Sequence, residues 1–186
     1  KRNLSIATPA LFMPHYVRAR DAAAEKTILY DGNNKPVSKE EANTIWNYLS
    51  TKAWIYLNGR FVKGSGFNGL DSLVEEHQVK KSRRVTERII REVLTPLQKH
   101  VNLDGVLVDL SSNKQGLPTK QSKLTEYEIG KNLYFYTPVE GFVARFDAYS
   151  DRAYLGCYGN ADFSDSQLGV LLCAEGTPKN LRRRSK

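Results

Sequence analysis

The chain has 186 residues but only two cysteines, three histidines, two tryptophans and one methionine. Each shortage excludes something. Cys157 and Cys173 are too few for the disulfide framework of a small secreted scaffold. Both stand among apolar neighbours in expected strands, so buried thiols are a simpler reading than a disulfide. His15, His77 and His100 have no metal-like spacing. Gly-x-Ser-x-Gly, His-Glu-x-x-His and Cys-x-x-Cys are missing, and with them the signatures of nucleophile-elbow hydrolases, zinc peptidases and thiol redox proteins. A catalytic arrangement assembled only in space stays open, but no residue pattern argues for one. No apolar run approaches the ~18 residues of a membrane span, and no signal-peptide pattern is visible in the sequence, which starts at Lys1.

Two motif-like stretches also fail on inspection. Asp31 and Asn33 fit the first and third ligand positions of a calcium loop. Lys35 and Pro36 then occupy the fifth and sixth, and Ala42 stands where a bidentate Glu is required. Glycines 64, 66 and 69 follow an expected strand, but no βαβ unit or acidic ribose ligand comes after them, so they read as a flexible connection.

The net charge is +8. Much of it lies in Lys80, Lys81, Arg83 and Arg84 and in a C-terminal run of Arg182, Arg183, Arg184 and Lys186. Such runs attract polyanions. No aromatics are interleaved with them, which weakens a single-strand nucleic-acid interface. The plainer reading is a solvated helix start and a disordered tail.

Hydrophobic residues make up 40% of the chain, enough for one domain over residues 1–186 with a sizeable core. Residues 4–13, with Pro9 inside, read as an irregular strand or extended edge, and 16–26 as a short helix. Ile28–Tyr30 is a brief strand running into the Asp31–Asn34 turn. Ser38 and Glu41 form a capping box ahead of a helix that buries Ala42, Ile45, Trp46 and Leu49. Residues 54–62 read as a hairpin turning at Asn58-Gly59, and 70–79 as a short helix. Val85, Ile89, Ile90, Val93, Leu94 and Leu97 fit a long amphipathic helix over 83–99. Residues 106–110 and 133–136 are strands separated by a polar loop at 111–122. The order implies an α+β domain with a mainly antiparallel sheet and two main helices.

The most informative stretch is 142–175. Phe146, Ala148 and Ser150 alternate with Asp147, Tyr149 and Asp151. Leu155 and Cys157 alternate with Tyr154, Gly156 and Tyr158. This period of two describes strands with one face in a core and the other in water. The outward set is rich in Tyr, Asp, Gly and Asn, a composition suited to binding surfaces. Asp147, Asp151, Asp162 and Asp165 could act as carboxylate ligands or acid–base groups, though solvent-facing strand and turn positions explain them more simply.

Val143-Ala-Arg-Phe-x-Ala-x-Ser-x-Arg-Ala-x-Leu-x-Cys, then Ser164-x-Ser-x-Leu-Gly-Val and Cys173-Ala-Glu-Gly, resemble the variable region of diversity-generating retroelement proteins, of the type found in archaea and their viruses. In that family a reverse transcriptase copies a template inaccurately at adenines and rewrites the end of the target gene. The resemblance covers about 35 residues. It implies a C-type lectin-like fold of the formylglycine-generating-enzyme variety, and a ligand-binding display protein, not an enzyme, with no cofactor or metal. The expected partner is a macromolecular target, a protein surface, and the chain itself is expected on a virion or a cell surface.

The resemblance assigns the hypervariable ligand-binding positions to Asp147, Tyr149, Asp151, Tyr154, Gly156, Tyr158, Gly159, Asn160, Asp162, Phe163 and Asp165. All are reachable from AAC or AAT codons by changes at adenine. Such codons cannot give Lys, Glu, Gln, Met or Trp, and none of these occurs from Phe142 to Ser166. Gln167 departs from the pattern. The same resemblance makes Val143, Ala144, Phe146, Ala148, Leu155, Cys157, Leu168, Val170 and Cys173 the core scaffold. It has Arg145, Ser150, Arg152, Ser164 and Ser166 hold loops, and pairs an N-terminal strand near the last one. Two alternatives stand beside it: a copper oxidase on the same fold using Cys157 and Cys173, and a nucleic-acid binder using the basic run at 80–84.

Overall fold

The computed structural model describes residues 4–63, 73–80, 90–159, 169–170 and 172–174. After a short strand β1 (Leu4–Ile6) come the helices α1 (Pro9–Ala23) and α2 (Lys39–Thr51). The strands β2 (Trp54–Lys63), β3 (Leu73–Lys80), β4 (Ile90–Pro96), β5 (Val106–Asp109), β6 (Asn132–Tyr136), β7 (Val143–Tyr149), β8 (Arg152–Gly159), β9 (Gly169–Val170) and β10 (Leu172–Ala174) follow. The class is α+β.

The larger sheet runs β4-β3-β2-β7-β8-β6-β5, with β9 added beside the first half of β2. Its pairings are antiparallel except β6–β8 and β2–β9. A second, two-stranded sheet pairs β1 with β10, antiparallel, Leu4 opposite Ala174.

Both helices start for legible reasons. Pro9 occupies the first turn of α1, where its missing N–H costs nothing. At α2 the Ser38 hydroxyl accepts from the Glu41 N–H at 3.1 Å, and the Glu41 carboxylate accepts from the Ser38 N–H at 2.9 Å. The core forms where α1 meets the sheet. Phe12 and Tyr16 lie 4.7 and 5.1 Å from the ring of Phe146, and Trp46 of α2 closes on Tyr16 at 5.1 Å. Leu133, Phe135, Ala144, Leu155 and Cys157 fill the layer around Phe146, each 0% exposed.

Several sequence expectations are corrected. Residues 73–80 and 90–96 are strands, not helices, and pair with each other from Val74 opposite Pro96 to Lys80 opposite Ile90. The spacing of Ile90, Val93, Leu94 and Leu97 suits a helix, but this run is rich in β-branched residues and its cross-strand partner decides. Residues 54–63 form one long strand rather than a hairpin. Asn58-Gly59 lies in an irregularity between Tyr56 and Arg60, where β2 gains residues relative to β7. The first helix begins at Pro9, well before residue 16. Of the basic run at 80–84, Lys80 ends β3; the remainder, the 182–186 run and the 64–69 glycine loop lie outside the described residues.

The chain after β5 is fastened back onto α1. Gly116, at φ +80°, passes so close to the helix start that a Cβ there would sit 2.1 Å from the Pro9 carbonyl oxygen. Gly141 has a similar φ of +84° but open space around it. Gly141→Ala should therefore cost only the left-handed strain, about 1–2 kcal/mol. Gly116→Ala adds a backbone clash and should cost about 3–5 kcal/mol. Equal denaturant midpoints for the two variants would contradict the close approach.

Candidate functional site: a tyrosine face on the central strands

In the sheet, β8 lies between β7 and β6, and β2 flanks β7. The register places side chains of one sense together: Tyr134 opposite Tyr154, Tyr136 opposite Gly156, Arg145 opposite Gly156, Asp147 opposite Tyr154, and Tyr149 opposite Arg152. On the far side of β7, Trp54 faces Asp147 and Tyr56 faces Arg145. The alternate residues Phe135, Phe146, Ala148, Ala153, Leu155 and Cys157 point to the helices and are buried. One side of these strands is thus core, and the other is a face of tyrosines.

The rings form a connected layer. Tyr154 lies 5.8 Å from Tyr134, 6.1 Å from Tyr136 and 6.2 Å from Tyr149. Tyr158 meets Tyr136 edge-on at 5.0 Å. Gly156 allows this contact, because a Cβ there would come within 3.2 Å of the Tyr158 ring. Arg152 stacks its guanidinium over Tyr149 at 5.5 Å and Tyr154 at 5.9 Å, and reaches Asp151 in the turn at 3.6 Å. Tyr149 and Tyr158 are 44% and 40% exposed, so two rings of the layer are open to a partner. Burial holds the Tyr154 and Tyr158 hydroxyls above the ordinary tyrosine range, which keeps them protonated and able to donate.

The β2 side of the face is polar and partly buried. Arg145 donates to Asp147 at 2.8 Å and lies over Trp54 at 5.8 Å. Asp147 is only 5% exposed, and its second carboxylate oxygen has no hydrogen-bond partner among the described residues. The same is true of the Trp54 indole N–H. Burial raises the Asp147 pKa, and the adjacent Arg145 offsets this only in part. Beneath the β7–β8 turn, burial and the charge of Asp151 push the Tyr127 hydroxyl up to about 12.

The structure brings together Asp147, Tyr149, Asp151, Tyr154, Gly156, Tyr158 and Gly159, though not all as exposed groups. Tyr149, Asp151 and Tyr158 are open to solvent and Tyr154 is half-buried. Asp147, Gly156 and Gly159 are buried because Arg145, Trp54, Tyr56 and Tyr158 cover them. Asn160, Asp162, Phe163 and Asp165 lie outside the described residues, as do Ser164, Ser166 and Leu168. Arg145 and Arg152 do not serve loops alone; both lie on the face, stacked on its rings. The scaffold positions Ala144, Phe146, Ala148, Leu155 and Cys157 are in the core, while Val143 is partly exposed.

Sequence reasoning missed Tyr134, Tyr136 and Trp54. The first two had a signal: Leu133 and Phe135 alternate with them and are wholly buried. An open groove of about 430 Å³ runs along α1, lined by Met13, Val17, Arg18 and Leu110 among others, but it lies on the helix side of the sheet. Among the described residues, no three His, Cys, Asp or Glu side chains are grouped to hold a metal ion.

The buried carboxylate makes a pH prediction. Folded Asp147 binds its proton more tightly than the unfolded chain does, so ionisation there costs stability once pH rises through the folded pKa. Asp147→Asn removes that cost, and Arg145, with its side chain 25% exposed, can turn to water. The variant should melt at or above wild type at neutral pH, and its advantage should shrink as pH falls towards the ordinary Asp value of 3.8. A pH series of melting curves measures this; an advantage that grows on acidification would contradict it. Compared with family models, curated proteins and solved structures, the chain matches none.

Proposed function

We propose that this chain is a display protein. Its C-terminal variable residues recognise a target, a protein surface, and are diversified by a retroelement reverse transcriptase on a C-type lectin-like scaffold. The observation that carries this reading is the division of labour along β7 and β8. Neighbouring residues alternate between fully buried scaffold and a Tyr-rich face, and Phe142–Ser166 lacks the five residue types that adenine-directed change cannot produce.

The physical advantage is decoupling. Substitutions at exposed positions away from special features change stability by only about 0.5 kcal/mol, so many faces can share one core. Tyrosine anchors contribute strongly when a partner buries them, about 2 kcal/mol or more at a hot spot. Arg152 stacked over Tyr149 and Tyr154 holds two rings in place before any partner arrives, lowering the entropic cost of binding. The copper-oxidase alternative gains nothing from Cys157, which is 0% exposed on the helix side of the sheet.

Two measurements test the proposal. The DNA beside the gene should hold a near-copy of the codons for 142–175, with adenines at the outward positions and a reverse transcriptase gene adjoining. Separately, saturation with adenine-derived codons at Tyr149, Asp151, Tyr154 and Tyr158 should leave most variants protease-resistant. The same codons at Phe146 and Leu155 should leave few. Equal intolerance at both sets would rule out a display face.

A further inference from the structure

Resting on the reading of β7 and β8 as a rewritten surface, we infer that Tyr134 and Tyr136 of β6 form a constant anchor within the same binding face. The anchor lies outside the rewritten stretch and engages the protein target whichever side chains the variable positions carry.

The register supports this. β6 runs parallel to β8, with Tyr134 beside Tyr154 and Tyr136 beside Gly156. Both β6 tyrosines are half-buried, and the alternate residues Leu133 and Phe135 are anchored at 0% exposure in the core. Their backbone is therefore fixed by packing that the variable residues do not share. Tyr136 also has a neighbour independent of β8: its ring lies beside the backbone of Gly105, close enough that even a Cβ there would be in ordinary van der Waals contact. A Cβ on Gly105 would lie 3.6 Å from that ring.

The two rings present different surfaces depending on their variable neighbours. Here Tyr158 crosses Gly156 and meets Tyr136 edge-on at 5.0 Å. A smaller residue at position 158 would uncover the Tyr136 ring, and one at 154 would uncover Tyr134 and Tyr136. When the rewritten stretch supplies few aromatics, the constant strand supplies more ring area. The face then always offers at least two tyrosines, each a rigid amphipathic contact with a hydroxyl. Trp54 does not share this role, because Arg145 covers it.

The occupant is a protein rather than a small molecule. The face is an open sheet surface of exposed and half-exposed rings, and the cavity along α1 is on the other side of the sheet. Broad ring area without enclosure suits a partner that itself covers the face.

The experiment is selection from the full-length chain, displayed with adenine-derived codons at Tyr149, Asp151, Tyr154 and Tyr158, against two unrelated probe proteins, lysozyme and streptavidin. Tyr134→Ala and Tyr136→Ala are then introduced into several selected clones for each probe. One or both substitutions should weaken binding about tenfold in most clones for both probes. Thermal melts identify any variant that fails to fold. As a readout that needs no substitution, iodination of Tyr134 and Tyr136 should be suppressed when either probe is bound. Clones that keep their affinity after both substitutions and show no protection overturn the constant anchor while leaving the display reading intact. A folded library that yields no binders to either probe overturns both.

Discussion

The ring of Phe146 is the contact on which the layering depends. It touches Phe12 and Tyr16 of α1, and Tyr16 in turn touches Trp46 of α2, so one side chain of β7 joins both helices to the sheet. Strand geometry then leaves no freedom to its neighbours. With Phe146 directed at α1, Arg145 and Asp147 must point the other way, and a slip of one residue would send the entire polar set into the core. β8 inherits the same constraint through Leu155, which lies opposite Phe146 and is equally buried. Orientation of the tyrosine face is a by-product of aromatic packing on the opposite side.

That packing also sets the order of the face apart from the order of the core. Ala144, Ala148 and Ala153 are small, buried residues on the helix side of β7 and β8, where α2 packs, while the bulk on the other side stands free of the helices. The face has its own internal order from Arg152 and the linked rings, but this order lies on top of the sheet rather than within the core. Asp147 breaks the division most sharply, beside the covered glycines Gly156 and Gly159. It is a charged group at a nominally outward position, buried by neighbours from β2 and from its own strand.

Much of the central region was legible in the sequence because a two-residue period leaves a direct record. Alternation alone places Phe146, Leu155 and Cys157 inward and Tyr149, Tyr154 and Tyr158 outward. The Ser38–Glu41 box was equally plain, since both partners lie within one turn. What could not be read was lateral order. Nothing local says that β2 borders β7, so the burial of Asp147 beneath Arg145 and beside Trp54 was invisible. Nothing local says that β6 borders β8, so Tyr134 and Tyr136 were left out of the face. β3 and β4 were misread because an apolar run with helical spacing can also satisfy a strand once a partner is present. Asn58-Gly59 carries the strongest turn signal in its neighbourhood, yet pairing with β7 on both sides of the irregularity there, and with β3 from Arg60 onward, keeps β2 a single strand.

The pairing of β1 with β10 joins the first described strand to the last. It gives the molecule a seam that closes late. As the chain leaves the ribosome, Leu4–Ile6 emerges almost the whole sequence ahead of its ladder partner and must wait for it. Such distant pairing bears a large loop-closure cost and forms slowly compared with local contacts. The seam therefore reports on completeness: a copy of the gene interrupted anywhere in the stretch before Leu172–Ala174 leaves β1 without the strand it pairs with here.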